Sequence, residues 1–229
     1  MIRKLICALK IVREISKLDR DCELDKLVDF AFTRCLGLIK PSQVKKEILK
    51  LLIILNRIKP NSVLEIGTES GGTLFLFTRV ASEDATIISI DLPGGPFGGG
   101  YPKWRVPFYK SFALPNQKIH LLRADSHDET TLEKVKTILT GREIDFLFID
   151  GDHTYEGVKK DFEMYSPLVK KNGIIALHDI VPHLRRPNCK VSRFWNEIKF
   201  KYDHVEIVND WNQNWAGIGV IKNSRSRDT

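Results

Sequence analysis

Two stretches of this sequence end an apolar run on acids and imidazoles. Phe146, Leu147, Phe148 and Ile149 lead into Asp150-Gly151-Asp152-His153, and residues 173–177 lead into His178-Asp179. A continuous apolar run of this length is the pattern of a strand buried on both faces. In an open parallel sheet, ligands bind outside the carboxyl ends of the strands. Two neighbouring strands ending this way would place Asp150, Asp152, His153, His178 and Asp179 around a cation or a reacting hydroxyl. Imidazole has the right intrinsic pKa for a general base near neutrality, and paired carboxylates have the charge to hold a divalent ion. The competing structural reading is that Asp150 and Asp152 cap the following helix while His153 merely packs.

A second group of polar residues falls at earlier strand ends. Residues 62–66 form a short buried run followed by Gly67-Thr68-Glu69-Ser70-Gly71-Gly72 and an apolar helix over 73–80. A glycine-rich turn between strand and helix brings a ligand to the backbone and to an amide-rich helix N-terminus. The spacing is not GxGxxG, no lysine is present for a phosphate loop, and the serine comes one residue too late for the hydrolase elbow. What remains is Glu65-x-Gly67-x-x-x-Gly71. The strand predicted over 86–90 ends on Asp91, where an acid can bind the two hydroxyls of a ribose. A third strand over 119–122 is followed by Asp125-Ser126. Together these strand ends describe a nucleoside pocket.

Other elements must position these residues. Apolar side chains from Ile2 to Leu18 recur at helical spacing with Arg3, Lys4, Lys10, Arg13 and Lys17 between them, predicting a basic amphipathic helix. A second helix is expected over 24–38 and a third over 44–58, stopped by Pro60. Further helices are expected over 128–139 and 155–169, and two closing strands over 199–208 and 216–221. Between the second and third strands, residues 93–101 carry too much glycine to hold a packed element. The aromatics Tyr101, Trp104, Phe108 and Tyr109 predict a loop folding over a ligand. The chain divides into a helical extension (1–40), a main domain (41–222) and a polar, disordered tail (223–229).

The net charge is +7 over 229 residues. Residues 1–60 hold 14 Lys/Arg against 7 Asp/Glu, so the whole excess sits in the leader. A nucleic-acid binder would carry its basic stripe beside the site with stacking aromatics, so nucleic acid is not the expected partner. The leader helix is expected to pack on its own domain or a partner subunit in a homo-oligomer, with peripheral membrane contact as the alternative. Four scattered cysteines with no CxxC pair read as reduced and structural, in the cytoplasm. No apolar run reaches the ~18 residues of a membrane span.

Val63-Leu64-Glu65-Ile66-Gly67-Thr68, residues 88–92, Leu122-Arg123-Ala124-Asp125-Ser126, Phe148-Ile149-Asp150-Gly151-Asp152-His153 and Leu177-His178-Asp179-Ile180 resemble the ordered motifs of class I S-adenosylmethionine-dependent methyltransferases. The likeness is to the branch containing cephalosporin-hydroxylase-like proteins and macrolide, aminocoumarin and rhamnosyl O-methyltransferases, and covers about residues 39–221. It implies an α/β, Rossmann-like fold: a seven-stranded, mostly parallel sheet with a reversed last strand and helices on both faces, here with an N-terminal helical extension. It implies O-methylation of a hydroxyl on a sugar or small secondary metabolite. Glu65, Gly67, Thr68 and Gly71 would face the methionine part of S-adenosylmethionine, Asp91 the ribose, and Asp125 and Ser126 the adenine, with Asp150 beside the cofactor. Metal-dependent relatives would hold Mg²⁺ at Asp150, His178 and Asp179, and His153 or Asp152 would be the base. His178 departs from the acid that those relatives mostly carry, and imidazole suits Mn²⁺, Fe²⁺ or Zn²⁺ better than Mg²⁺. A non-catalytic cofactor-binding or scaffold protein of the same fold would need neither His153 nor Asp179. A nicotinamide oxidoreductase would want the missing GxGxxG, and a hydroxylase would have to use His153, His178 and Asp179 as its iron triad.

Overall fold

The computed structural model describes residues 2–18, 22–95, 97 and 99–224. Seven strands, β1 (Ser62–Ile66), β2 (Thr86–Ile90), β3 (Lys118–Leu122), β4 (Ile144–Ile149), β5 (Val169–His178), β6 (Asp203–Ile207) and β7 (Ile218–Lys222), form one sheet. Their order is β3-β2-β1-β4-β5-β7-β6. The first five pair in parallel, and β7 runs antiparallel between β5 and β6. The order reverses at β1–β4, so the carboxyl ends of β1 and β4 open the crevice where ligands of such sheets bind.

Strand periodicity of two splits the core between the faces. Phe146 and Phe148 of β4 join Val63 and Ile87 on one face, while Leu147 and Ile149 join Leu64 and Ile88 on the other. The second face is covered by α6 (Glu129–Leu139), α7 (Tyr155–Tyr165) and α8 (Val191–Ile198) through Val135, Val158, Phe162, Phe194 and Trp195. The first is covered by α4 (Gly72–Val80), which is apolar all round: Leu74, Phe75, Leu76 and Phe77 are all fully buried. Phe77 meets Phe146 and Phe148 edge-on at 5.1 and 5.2 Å. A helix without a polar face needs cover on its outer side too. Here α2 (Leu24–Thr33) and α3 (Lys45–Ile58) supply that cover with Phe30, Leu51 and Leu55, Phe30 lying 5.6 Å from Phe75, and α1 (Ile2–Ile15), packed against the turn at Arg34–Gly37, adds Ile11 to the same core.

Several expectations shift. The second helix passes into a 3₁₀ turn at Arg34–Gly37, the helix over 155–169 stops at Tyr165, and β5 begins at Val169. No helix was expected where α8 lies, although Val191, Phe194, Trp195 and Ile198 have helical spacing and are buried. The aromatic loop is a packed element in part: Arg105–Lys110 forms α5, and Tyr101, Phe108 and Tyr109 are buried in the core rather than laid over a ligand. Asn223, assigned to the tail, is buried, and its amide donates to the Val169 and Lys170 carbonyls. Residues 225–229 lie outside the described residues. No described helix is long and apolar enough to cross a membrane.

Candidate active site

The turn after β1 is built around two glycines in the left-handed region. Gly67 has φ +96°, and a Cβ there would run into the Asp150 carbonyl at the end of β4. Gly71, at φ +79°, caps α4 beneath Tyr109, whose ring would lie 2.5 Å from an added Cβ. Between them Glu69 has φ +42°, an uncommon conformation for a side-chain-bearing residue that its surroundings must enforce. Its N–H donates to Asp91 Oδ2 at 2.8 Å, and its carbonyl accepts from Tyr109 Oη at 2.7 Å. Arg105 braces the same turn, donating to the Ser70 carbonyl and to Tyr109 Oη.

Asp91 is buried at the end of β2, and its other oxygen accepts from Gly100 N at 2.8 Å. Burial raises its pKa against the lowering effect of those backbone bonds. Thr68 is bonded to Ser89 Oγ at 2.5 Å, and Ser89 donates to Glu65 Oε2 at 2.6 Å. Glu65 is fully buried beneath the turn and does not line the cavity, with the Thr73 hydroxyl also beside its carboxyl. Desolvation raises its pKa to about 8. Past β3, Asp125 accepts from His127 N, and Ser126 is fixed through its carbonyl by Tyr165 Oη. His127 stands 3.3 Å from the fully buried Asp161 of α7, whose carboxylate raises the imidazole's pKa.

The acid–imidazole cluster assembles at the ends of β4 and β5. His178 Nδ1 lies 3.0 Å from Asp150 Oδ1 and 3.6 Å from Asp179 Oδ1. His153 Nδ1 lies 2.7 Å from Asp179 Oδ2, and its Nε2 is 3.8 Å from Asp150 Oδ1. Asp179 has φ +63° and accepts from Ala216 N at 2.9 Å. Burial alone would lower both imidazoles. The Asp179 hydrogen bond and the Asp150 charge outweigh it at His153, raising it to about 11, and the two carboxylates raise His178 to about 9. Burial would raise Asp179, but the two imidazoles hold it well below the usual carboxylate range. Donor atoms of Asp150, His178 and Asp179 all lie within 4.8 Å of one another. Asp152 also lines the cavity, while its Oδ1 accepts from Thr154 N at 2.8 Å, at the entry to α7, and its side chain packs over Gly157.

These residues line one cavity of about 750 Å³, the size of a small-molecule site. Its wall includes Gly67, Thr68, Asp91, Asp125 and Ser126 from beyond β1, β2 and β3, Asp150, His153, His178 and Asp179 from the ends of β4 and β5, and Phe32, His183, Arg186 and Trp215. Four further participants have no motif of their own. Gln43 is buried and donates to Asp150 Oδ2 at 2.7 Å. Phe97 stacks on His153, with ring centroids 4.9 Å apart. Asp161 pairs with His127. Cys189 Sγ lies 3.8 Å from Asp179 Oδ2 and 4.0 Å from His153 Nδ1, so this cysteine, expected to be structural, sits in the cluster. Only the cysteine is of a type that could have raised the question from sequence.

A family described as a methyltransferase domain matches residues 64–180, the segment from β1 to the end of the cluster. The uncharacterized protein R132 of Acanthamoeba polyphaga mimivirus is 33% identical over 118 residues, 51% of this chain and 50% of that one. The chain spans half or less of the length of the curated relatives it matches. Among solved structures, the O-methyltransferase TomG of Streptomyces achromogenes, crystallised with S-adenosylmethionine, superposes with a TM-score of 0.59 at 14% identity, covering 93% of this chain and 95% of that one. An O-methyltransferase of Bacillus cereus in complex with S-adenosylhomocysteine gives 0.56 at 14% identity, covering 93% and 97%.

Proposed function

The chain belongs to this methyltransferase-domain family, and from that premise we propose that it moves the methyl group of S-adenosylmethionine to a hydroxyl of a small molecule such as a sugar or secondary metabolite. The observation that carries the reading is that the nucleoside-type strand ends and the acid–imidazole cluster line one cavity. Bound there, S-adenosylmethionine supplies an electrophilic methyl for in-line displacement. Gly67 and Gly71 let the β1–α4 turn close on the methionine part, Asp91 accepts from the ribose hydroxyls, and Asp125 and Ser126 border the adenine. Asp91 is pre-oriented for this by the N–H groups of Glu69 and Gly100. Glu65 supports the turn from beneath through Ser89 and Thr68.

At the cluster, His153 takes the acceptor's proton once a cation offsets the Asp150 and Asp179 charges that otherwise keep its ring protonated. Asp179 holds the Nδ1 side of the ring, which leaves Nε2 as the nitrogen directed to the reaction, and Phe97 fixes the ring plane. The donor set Asp150, His178 and Asp179 fits a divalent ion, with two carboxylates to neutralise its charge and one imidazole favouring Mn²⁺ or Fe²⁺ over Mg²⁺. Such an ion lowers the pKa of a coordinated hydroxyl. Asp152 fixes the entry to α7 through Thr154 N and, from its place on the cavity wall, is the second candidate for the base. A deprotonated acceptor held close and in line with the methyl is what the transfer requires.

The test is calorimetry with S-adenosylmethionine and S-adenosylhomocysteine, followed by mass spectrometry for methylated products from a panel of hydroxylated acceptors. Micromolar binding is expected, with Asp91→Asn weakening it by about 1.5–3 kcal/mol, the range for hydrogen bonds to a charged group. Absence of binding by the wild type, or an unchanged affinity in the variant, rejects the assignment.

A further inference from the structure

Asp179 faces two different donor sets with its two oxygens. On the Oδ1 side stand His178 and, across it, Asp150. On the Oδ2 side stand His153 Nδ1 at 2.7 Å and Cys189 Sγ at 3.8 Å, with sulfur and nitrogen 4.0 Å apart. The three donor atoms lie 2.7, 3.8 and 4.0 Å from one another, close enough to share one ion, with a small opening of the His153–Asp179 pair giving the ~2.0–2.3 Å bonds of zinc. Thiolate, imidazole and carboxylate together form a donor set that selects borderline or soft ions such as Zn²⁺ over Mg²⁺.

The set is also held in place by backbone. Lys190 N donates to the His153 carbonyl at 2.7 Å, and Cys189 N donates to the Arg186 carbonyl at 2.9 Å, so the cysteine-bearing segment is tied to the histidine it faces. Cys189 is 6% exposed and Asp179 5%, so neither donor is in open solvent. His153 and Asp179 also line the neighbouring cavity.

We infer that His153, Asp179 and Cys189 form a second, thiolate-bearing metal site for Zn²⁺, distinct from the Asp150–His178–Asp179 set and joined to it through the Asp179 carboxylate. Binding forms bonds from the metal to Nδ1, Oδ2 and Sγ and releases the thiol proton and the proton between His153 and Asp179 to solvent. An imidazole metallated at Nδ1 keeps its remaining proton on Nε2, so zinc occupancy and proton acceptance by His153 exclude each other. That consequence rests on His153 being the base, whereas the site itself does not.

Metal-free full-length protein titrated with Co²⁺ tests the site without reference to turnover. A sulfur-to-cobalt charge-transfer band in the near ultraviolet is expected for the wild type and for Asp150→Asn, and is expected to vanish in Cys189→Ser. Zinc affinity should fall at least ~10-fold in Cys189→Ser, in line with loss of one ligand from a small donor set. X-ray absorption at the zinc edge of the wild-type protein should show one sulfur at ~2.3 Å, and this measurement stands if the cysteine variant does not fold. A zinc shell of nitrogen and oxygen only, or a charge-transfer band that survives in Cys189→Ser, overturns the inference.

Discussion

At the scale of single residues, the acid–imidazole cluster turns on Asp179, whose two oxygens face His178 and His153 and whose carboxylate accepts from Ala216 N. Asp150, His153, His178 and Asp179 stand together because each closes an apolar strand run, and strand ends are legible from composition alone. Asp152 was not separable from them by that signal. Its carboxylate turns back to the N–H of Thr154, a local choice made by the backbone two residues on. Glu65 was expected at the cofactor but lies wholly beneath the turn. Its pKa is raised to about 8 from an ordinary 4.5, so the folded protein holds a proton there that the unfolded chain releases. The stability tied to that proton is fully present below about pH 4.5 and is lost as pH rises through 8. Glu65→Gln cannot ionise and should gain stability relative to wild type between pH 5 and 9, read by denaturant titration at several pH values. A difference that does not change with pH refutes the protonated state. His153→Ala should lower the methyl-transfer rate about 10²–10⁴-fold in single-turnover assays. Near-normal turnover in that variant removes the imidazole from the proton transfer.

At the scale of elements, short buried runs placed β1 and β2 to the residue, because both strands are buried on both faces and bounded by polar turns. The 93–109 segment was misread because glycine content and aromatic content lie side by side in it. The glycines form the cover over Asp91, whereas Tyr101, Phe108 and Tyr109 belong to a packed helix and its approach. The leader helix α1 was expected to bury an apolar stripe. It does so with Ala8, Ile11 and Ile15, and leaves Ile6 49% and Leu9 60% exposed among basic residues. Deleting α1 would take Ala8, Ile11 and Ile15 out of the core, so a truncation confounds folding with association. Leu9→Glu and Ile6→Glu avoid this. We expect both to preserve thermal stability within about 0.5 kcal/mol, as surface substitutions do, while shifting the molecule toward monomer in analytical ultracentrifugation. An unchanged sedimentation profile would show that this stripe is not a self-association surface.

At the scale of the molecule, residues distant in sequence complete the site, and this part was not legible. Gln43 reaches Asp150 from before α3, and Ala216 N holds Asp179 from the turn before β7. No local pattern marks either, because each contact exists only once the sheet has brought its strand ends together. The buried Glu47 of α3 accepts from Asn209 N, Gln213 Nε2 and Gly217 N, fastening the same turn to the helical layer. Placement of β7 between β5 and β6 has a consequence for how the protein is made. A ribosome delivers β1 to β5 and most of the cavity wall first, but Asp179 lacks its backbone anchor until the turn bearing Ala216 emerges and β7 threads alongside β5. The nascent chain therefore carries every acid and imidazole of the cluster for some time before it can hold them in register, and its competence arrives with the strand that completes this sheet.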